Sequence, residues 1–229
     1  MQVWSTARLT RVAAFSDTQQ TPFPPSFGGG VFMQAFSPDG RLLAAVGIDA
    51  QIRLYSVPGF SPLAVFPALD APSSLAFSPD GRTLAVGNSD GNVYAYSVPA
   101  TYTHLSQDIA FRGVFAASTK NIFSVQFLSD DSLIAGGSDG VVRFWNVPAG
   151  KFTSTIPAQT LATHWGAIAV VSYNARLGLL ATGSPSGTRV WDASPARVAA
   201  SICQTLNAPV SNFLWKEYLP DIPYQPVCG

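Results

Sequence analysis

Two segments of the chain have the Gly-x-Ser-x-Gly form that can present a hydrolytic serine: Gly87-Asn88-Ser89-Asp90-Gly91 and Gly136-Gly137-Ser138-Asp139-Gly140. A nucleophile elbow needs a strand, a sharp turn and a helix, with an acid and a histidine later in the chain. An apolar, β-branched run follows each motif instead, and both motifs fall at the same place in a repeat, as hairpin turns would. Ser89 and Ser138 are therefore expected to be turn residues. The two histidines, His104 and His164, would matter catalytically only if a base and an orienting acid converged around them. His104 lies in the longest insertion and is expected to be a solvated loop residue. The turn aspartates stand singly, without the clustered oxygens of a calcium loop, and no Gly-rich Lys-Ser/Thr phosphate loop occurs. The two cysteines, Cys203 and Cys228, are too few for a disulfide scaffold and lack metal-ligand spacing. The sequence assigns no catalytic residue, metal site or cofactor.

The elements that must position these residues have to be β. Of 229 residues, 47% are hydrophobic and only 11% charged, while 18 Pro and 19 Gly demand many turns. Lys+Arg and Asp+Glu balance at 13 each, which argues against a nucleic-acid partner. No stretch approaches the ~18 unbroken apolar residues of a membrane span, and no secretory leader is evident. The expectation is a cytoplasmic protein.

The chain repeats itself. Ala35-Phe36-Ser37-Pro38-Asp39-Gly40-Arg41 recurs as Ala76-Phe77-Ser78-Pro79-Asp80-Gly81-Arg82, with degraded copies at Phe127-Leu128-Ser129-Asp130-Asp131 and Tyr173-Asn174-Ala175-Arg176. An apolar run, a turn and a second apolar run ending in an aromatic follow each copy, at Tyr55, Tyr96, Trp145 and Trp191. These spacings fit a unit of about 40–45 residues with insertions. Asp90-Gly91 and Asp139-Gly140 are strong hairpin signals, and Asp49 begins the corresponding turn in the first unit. Four antiparallel strands per unit make a blade, the fourth being read at segments such as 153–156 and 198–203. Residues 100–120 read as a surface loop.

These residues resemble the WD-repeat β-propeller family over about residues 1–203. Trp191-Asp192 is the name-giving dipeptide, and His164 falls at the family's Gly-His position. The resemblance implies a structural network of a His, a Ser/Thr, a turn Asp and a Trp in each blade. His164, Thr182 and Trp191 match it in the fourth unit, where Ser186 stands at the Asp position; Asp139 and Trp145 match it in the third. Because no blade holds the full set, apolar packing between sheets is expected to carry the fold, with Trp145 and Trp191 between blades. The family's ligands commonly meet the face formed by the loops entering each first strand and the second-to-third-strand turns. That face maps onto Phe32, Ser73, Phe123 and Ala169 beside Ile48, Ser89 and Ser138. Two aromatics and little charge suggest a protein or peptide partner; the other reading is that Phe32 and Phe123 pack under neighbouring loops.

The fold class expected is all-β: a β-propeller arc of four complete four-stranded antiparallel blades, with half a blade at the N-terminus and a short C-terminal helix. The half blade spans 1–16, the blades about 31–66, 71–112, 121–157 and 164–203, and residues 204–229 form a helix and extended tail. Cys203 and Cys228 are expected to lie close together as the apolar tail folds back over the last blade. The run Trp215 to Pro220, followed by Ile222 to Cys228, resembles the closing segment of bacterial WD-repeat proteins. That resemblance implies the C-terminal portion of a multidomain signalling protein, preceded by further blades and by an effector module such as a STAND-type NTPase. The function expected is a non-catalytic interaction or sensing platform; the alternative is a propeller enzyme with a central-channel active site.

Overall fold

The computed structural model describes residues 2–5, 7, 10–14, 31–47, 49–99, 109–116, 120–146, 159–162 and 166–206. Strands β1 (Gln2–Ser5) and β2 (Thr10–Ala14) pair as a two-stranded antiparallel sheet. The first four-stranded sheet runs β3 (Val31–Phe36), β4 (Leu42–Gly47), β5 (Gln51–Ser56) and β6 (Pro62–Pro67). The second runs β7 (Pro72–Phe77), β8 (Thr83–Asn88), β9 (Asn92–Ser97) and β10 (Phe111–Ala116). The third runs β11 (Ile122–Ser129), β12 (Ser132–Gly137), β13 (Val141–Asn146) and β14 (Gln159–Ala162). Strands β15 (Val170–Asn174), β16 (Leu179–Ser184) and β17 (Gly187–Asp192) form a three-stranded sheet, and helix α1 covers Pro195–Leu206.

The all-β class and the blade pattern stand, with three corrections. The fourth strand expected at 198–203 is helix α1. Ser194 accepts the Val198 N–H through its carbonyl at 2.9 Å, and Pro195 supplies a preset φ at the first helical position. Val198, Ala199, Ile202, Cys203 and Leu206 then recur with helical period, so local propensity overrides the repeat. Second, the supposed loop over 100–120 contains β10, which pairs with β9 in the register Phe111↔Tyr96 to Ala116↔Asn92, past the expected boundary at 112. Third, the fourth strand of the third sheet is β14, whose Ala162 pairs with Val141; residues 153–156 lie outside the described residues. So do residues 207–229, and with them Cys228 and nearly all of the helix and extended tail expected over 204–229. Cys203 falls within α1.

By contact density the chain divides into one unit of residues 1–172 with 182–188 and another of 173–181 with 189–229. In the first unit the core lies between sheets. Strands β4 and β8 are buried at every position, so neither shows the apolar–polar alternation of a half-solvated strand. Leu42, Ala44, Val46, Ile52 and Leu54 of the first sheet pack with Phe77, Leu84, Val86 and Tyr96 of the second. Ala85, Val93, Ala95 and Phe115 of the second pack with Val125, Phe127, Leu133 and Trp145 of the third. In the second unit, the Arg197 guanidinium donates to Asp192 Oδ2 from Nε at 2.5 Å and to the Leu177 carbonyl from Nη2 at 2.6 Å, fixing α1 at its start.

Candidate functional site

Each Ser-Pro-Asp-Gly turn closes by the same hydrogen bonds. The Ser37 hydroxyl donates to Asp39 Oδ1 at 2.6 Å and accepts from the Leu42 N–H at 2.9 Å, while the Arg41 N–H donates to Asp39 at 3.0 Å. Ser78, Thr83, Asp80 and Arg82 repeat the set at 2.6, 3.0 and 2.9 Å. The Ser37 hydroxyl accordingly holds the Asp39 carboxyl below its ordinary range.

The turns joining second and third strands are built differently. Asp49 accepts the Gln51 N–H at 3.2 Å and takes both Nη atoms of Arg53, at 3.1 and 2.6 Å. Asp139 accepts the Val141 N–H at 3.1 Å and grips Arg143 at 3.2 and 2.6 Å. At the same repeat position Asp90 caps the Asn92 N–H at 2.8 Å and accepts the Tyr94 hydroxyl at 2.6 Å. Each turn aspartate is thus held by the side chain four residues on, on its own third strand. The family pattern had pointed to a histidine partner, yet Asp-x-x-x-Arg recurs at the same place in two of these turns, Asp49 to Arg53 and Asp139 to Arg143, and was the available signal.

The Gly-x-Ser-x-Gly motifs sit in these turns, and the strands β9 and β13 follow them at Asn92 and Val141. Their glycines have structural reasons. Gly91 and Gly140 take φ of 86° and 77°, the left-handed region that closes the hairpin. A Cβ on Gly87 would stand 2.7 Å from Ile122 Cγ2 of the next sheet, and one on Gly136 2.5 Å from Ile168 Cγ2. The Ser89 hydroxyl lies 3.3 Å from Asp70 Oδ2, and Ser138 is half-buried. Among the described residues, no group of three or more His, Cys, Asp and Glu could hold a metal ion, and no helix is long and apolar enough to cross a membrane.

The rim mapped from the sequence divides into three kinds of residue. Ser73 turns to the neighbouring sheet: its hydroxyl donates to the Gly87 carbonyl at 2.9 Å and contacts the Ile122 carbonyl. Phe123 is 38% exposed at a bulge between Ile122 and Ser124, and Ala169 is exposed. Ile48, the side chain of Phe32 and His164 lie outside the described residues. Leu69, unmarked by any repeat signal, is 55% exposed in the loop before β7. Because each first strand begins where the antiparallel second strand ends, Leu69, Phe123 and the Ser89 and Ser138 turns share one end of their sheets. Trp145 is 1% exposed and packs against Phe115 with the rings tilted by 53° at a centroid distance of 5.8 Å. Thr182 is fully buried, Trp191 half-buried, and Asp192 is occupied with Arg197.

A family model described as WD domain, G-beta repeat matches residues 24–56, 60–97 and 110–146. No curated protein matches the chain. Among solved structures, a chain in the crystal structure of the mitotic checkpoint complex superposes with a TM-score of 0.64 at 21% identity, covering 84% of this chain and 54% of that one. The chain therefore spans about half the length of that structural relative, and the likeness is one of fold.

Proposed function

We propose that this chain, which belongs to the WD-repeat family, is a non-catalytic platform holding a protein or peptide partner on the rim that carries Phe123. The observation that carries this reading is the exposure of a phenylalanine and a leucine, Phe123 and Leu69, at the end of the sheets where the hairpin turns gather. Large apolar side chains kept in water at such a rim favour an apolar or peptide-like ligand. The polar groups beside them support the same reading, because the turn aspartates are tied to Arg53, Tyr94 and Arg143 and are unavailable for acid–base work.

The setting we assign is a cytoplasmic, multidomain bacterial signalling protein with further blades and an NTPase-type effector; the resemblance of the closing segment from Trp215 to Cys228 supports it. Site-specific photo-crosslinking in the native host tests the platform. A crosslinking residue at position 123 is expected to capture a discrete protein that the same residue at exposed Asn146 does not. Equal capture at both positions would remove the rim from the account.

A further inference from the structure

The seams between successive sheets differ at the rim of the Ser-Pro-Asp-Gly turns. Across the second seam, the Asp80 N–H donates to Asp130 Oδ1 at 2.7 Å, so a carboxylate from the third sheet's turn caps the turn of the second. Asp130 is free to reach over because its own turn has Leu128 where the intact copies have Ser37 and Ser78, and no hydroxyl holds its carboxylate inward. At the first seam the matching carboxylate is that of Asp80, which Ser78 and the Arg82 N–H keep in its own turn. The Asp39 N–H, counterpart of the capped Asp80 N–H, takes no partner from another of the described residues and meets only its own carboxylate. A groove of about 550 Å³ opens there, lined by Asp39, Arg41, Leu42, Leu63, Arg82 and Val98 among others.

We infer that this groove binds the carboxylate side chain of an acidic peptide, in the place that Asp130 fills at the next seam. The internal carboxylate shows what the turn accepts, and the lining supplies the remainder. Arg41 and Arg82 come from equivalent positions of successive turns and can pair with a carboxylate. Arg41 has a side chain 83% exposed, with Asp39 at 3.9 Å, and Arg82 is exposed. Asp39 and Asp80 stay anionic in the same lining, so the groove is balanced in charge, and its preference rests on the two guanidinium forks and on the place left for a capping carboxylate. Leu42, Leu63 and Val98 give an apolar floor for the flanking residues of the peptide. This surface lies at the opposite ends of the sheets from Phe123 and does not depend on the function proposed for that rim.

Fluorescence anisotropy on the whole chain tests it, with a fluorescein-labelled, end-blocked peptide Ala-Leu-Asp-Leu-Ala and its Asn counterpart as probes. The Asp peptide is expected to bind about tenfold tighter or more, a preference that weakens with salt and disappears in the Arg41→Gln, Arg82→Gln double variant. Both arginines are exposed, so the variant should keep its fold, which circular dichroism checks. Phe123→Glu is expected to leave the peptide affinity unchanged. Equal affinity for the two peptides, binding of neither, or an Asp preference that survives loss of both arginines would overturn the inference.

Discussion

The Arg143 guanidinium meets the Asp139 carboxylate end-on, Nη1 to Oδ1 at 3.2 Å and Nη2 to Oδ2 at 2.6 Å, across one hairpin turn. Arg53 and Asp49 repeat the pair two units earlier, with the Arg53 side chain only 4% exposed. Removing one partner of a buried pair leaves an uncompensated charge. Asp49→Ala is expected to cost about 3 kcal/mol, at the low end of the range because the carboxylate is partly solvated. Urea unfolding measures it, and Asp49→Ala combined with Arg53→Met should recover most of the loss. A double variant that loses the sum of the two single effects would contradict the coupling.

The same carboxylates set an acid limit. Burial opposes ionisation of Asp49, yet the Arg53 hydrogen bond and the Gln51 N–H hold its pKa below the ordinary 3.8. Asp192 moves the same way beside Arg197, as Asp39 does beside Ser37. A lowered folded pKa stabilises the fold above the unfolded value and stops doing so as pH falls through the folded one. At the other end, burial raises the Tyr96 phenol above its ordinary 10.0, so its contribution is present below that value and is lost as pH rises beyond it. Urea midpoints measured against pH should therefore hold level between about pH 4 and 10 and fall outside that window. An acid limb unchanged in Asp49→Asn would remove Asp49 from the explanation.

Much of this was legible in the sequence because turn chemistry and apolar runs repeat. Ser-Pro-Asp-Gly and Asp-Gly fix hairpins locally, so β4, β5, β8, β9, β12 and β13 could be read from residues alone. What escaped depends on competition beyond a single unit. Helix α1 stands where the repeat called for a strand, because Pro195 and the helical spacing of its apolar residues outweigh the register. Strand β10 hides in an insertion, since Phe111 to Ala116 shows its role only through pairing with β9. Ser73 has the place of a rim residue, but its direction toward Ile122 is decided by the neighbouring sheet.

Trp145 tests the packing. Its indole Nε1 is buried without a hydrogen-bond partner among the described residues. Ala135 lies on the same strand face, two residues beyond the Trp145 cross-strand partner Leu133, and matches Thr182 of β16. Ala135→Ser supplies an acceptor and is expected to raise stability by about 1 kcal/mol in thermal or urea unfolding. Trp145→Ala should cost about 3–5 kcal/mol from lost burial and the cavity. A destabilising Ala135→Ser would show that the indole N–H is not reached from that strand.

Gly136→Ala is a test of sheet spacing. Its new methyl group would stand 2.5 Å from Ile168 Cγ2 and 3.1 Å from Val171 Cγ1, so the two sheets must part. The expected cost is about 1–3 kcal/mol. Unchanged melting temperature in the single variant would mean that the seam is looser than the structure shows.

The central claim is that the chain binds through its Phe123 rim and performs no chemistry at its serine turns. Titration calorimetry with the protein captured at position 123 tests it directly, comparing the unaltered chain with Phe123→Glu and with Ser89→Ala, Ser138→Ala. The account predicts that Phe123→Glu weakens binding by about 2 kcal/mol or more, as loss of an interface anchor does, while the double serine variant binds as before and no ligand is turned over. Full affinity in Phe123→Glu, or hydrolysis of the partner that the serine changes abolish, would contradict it.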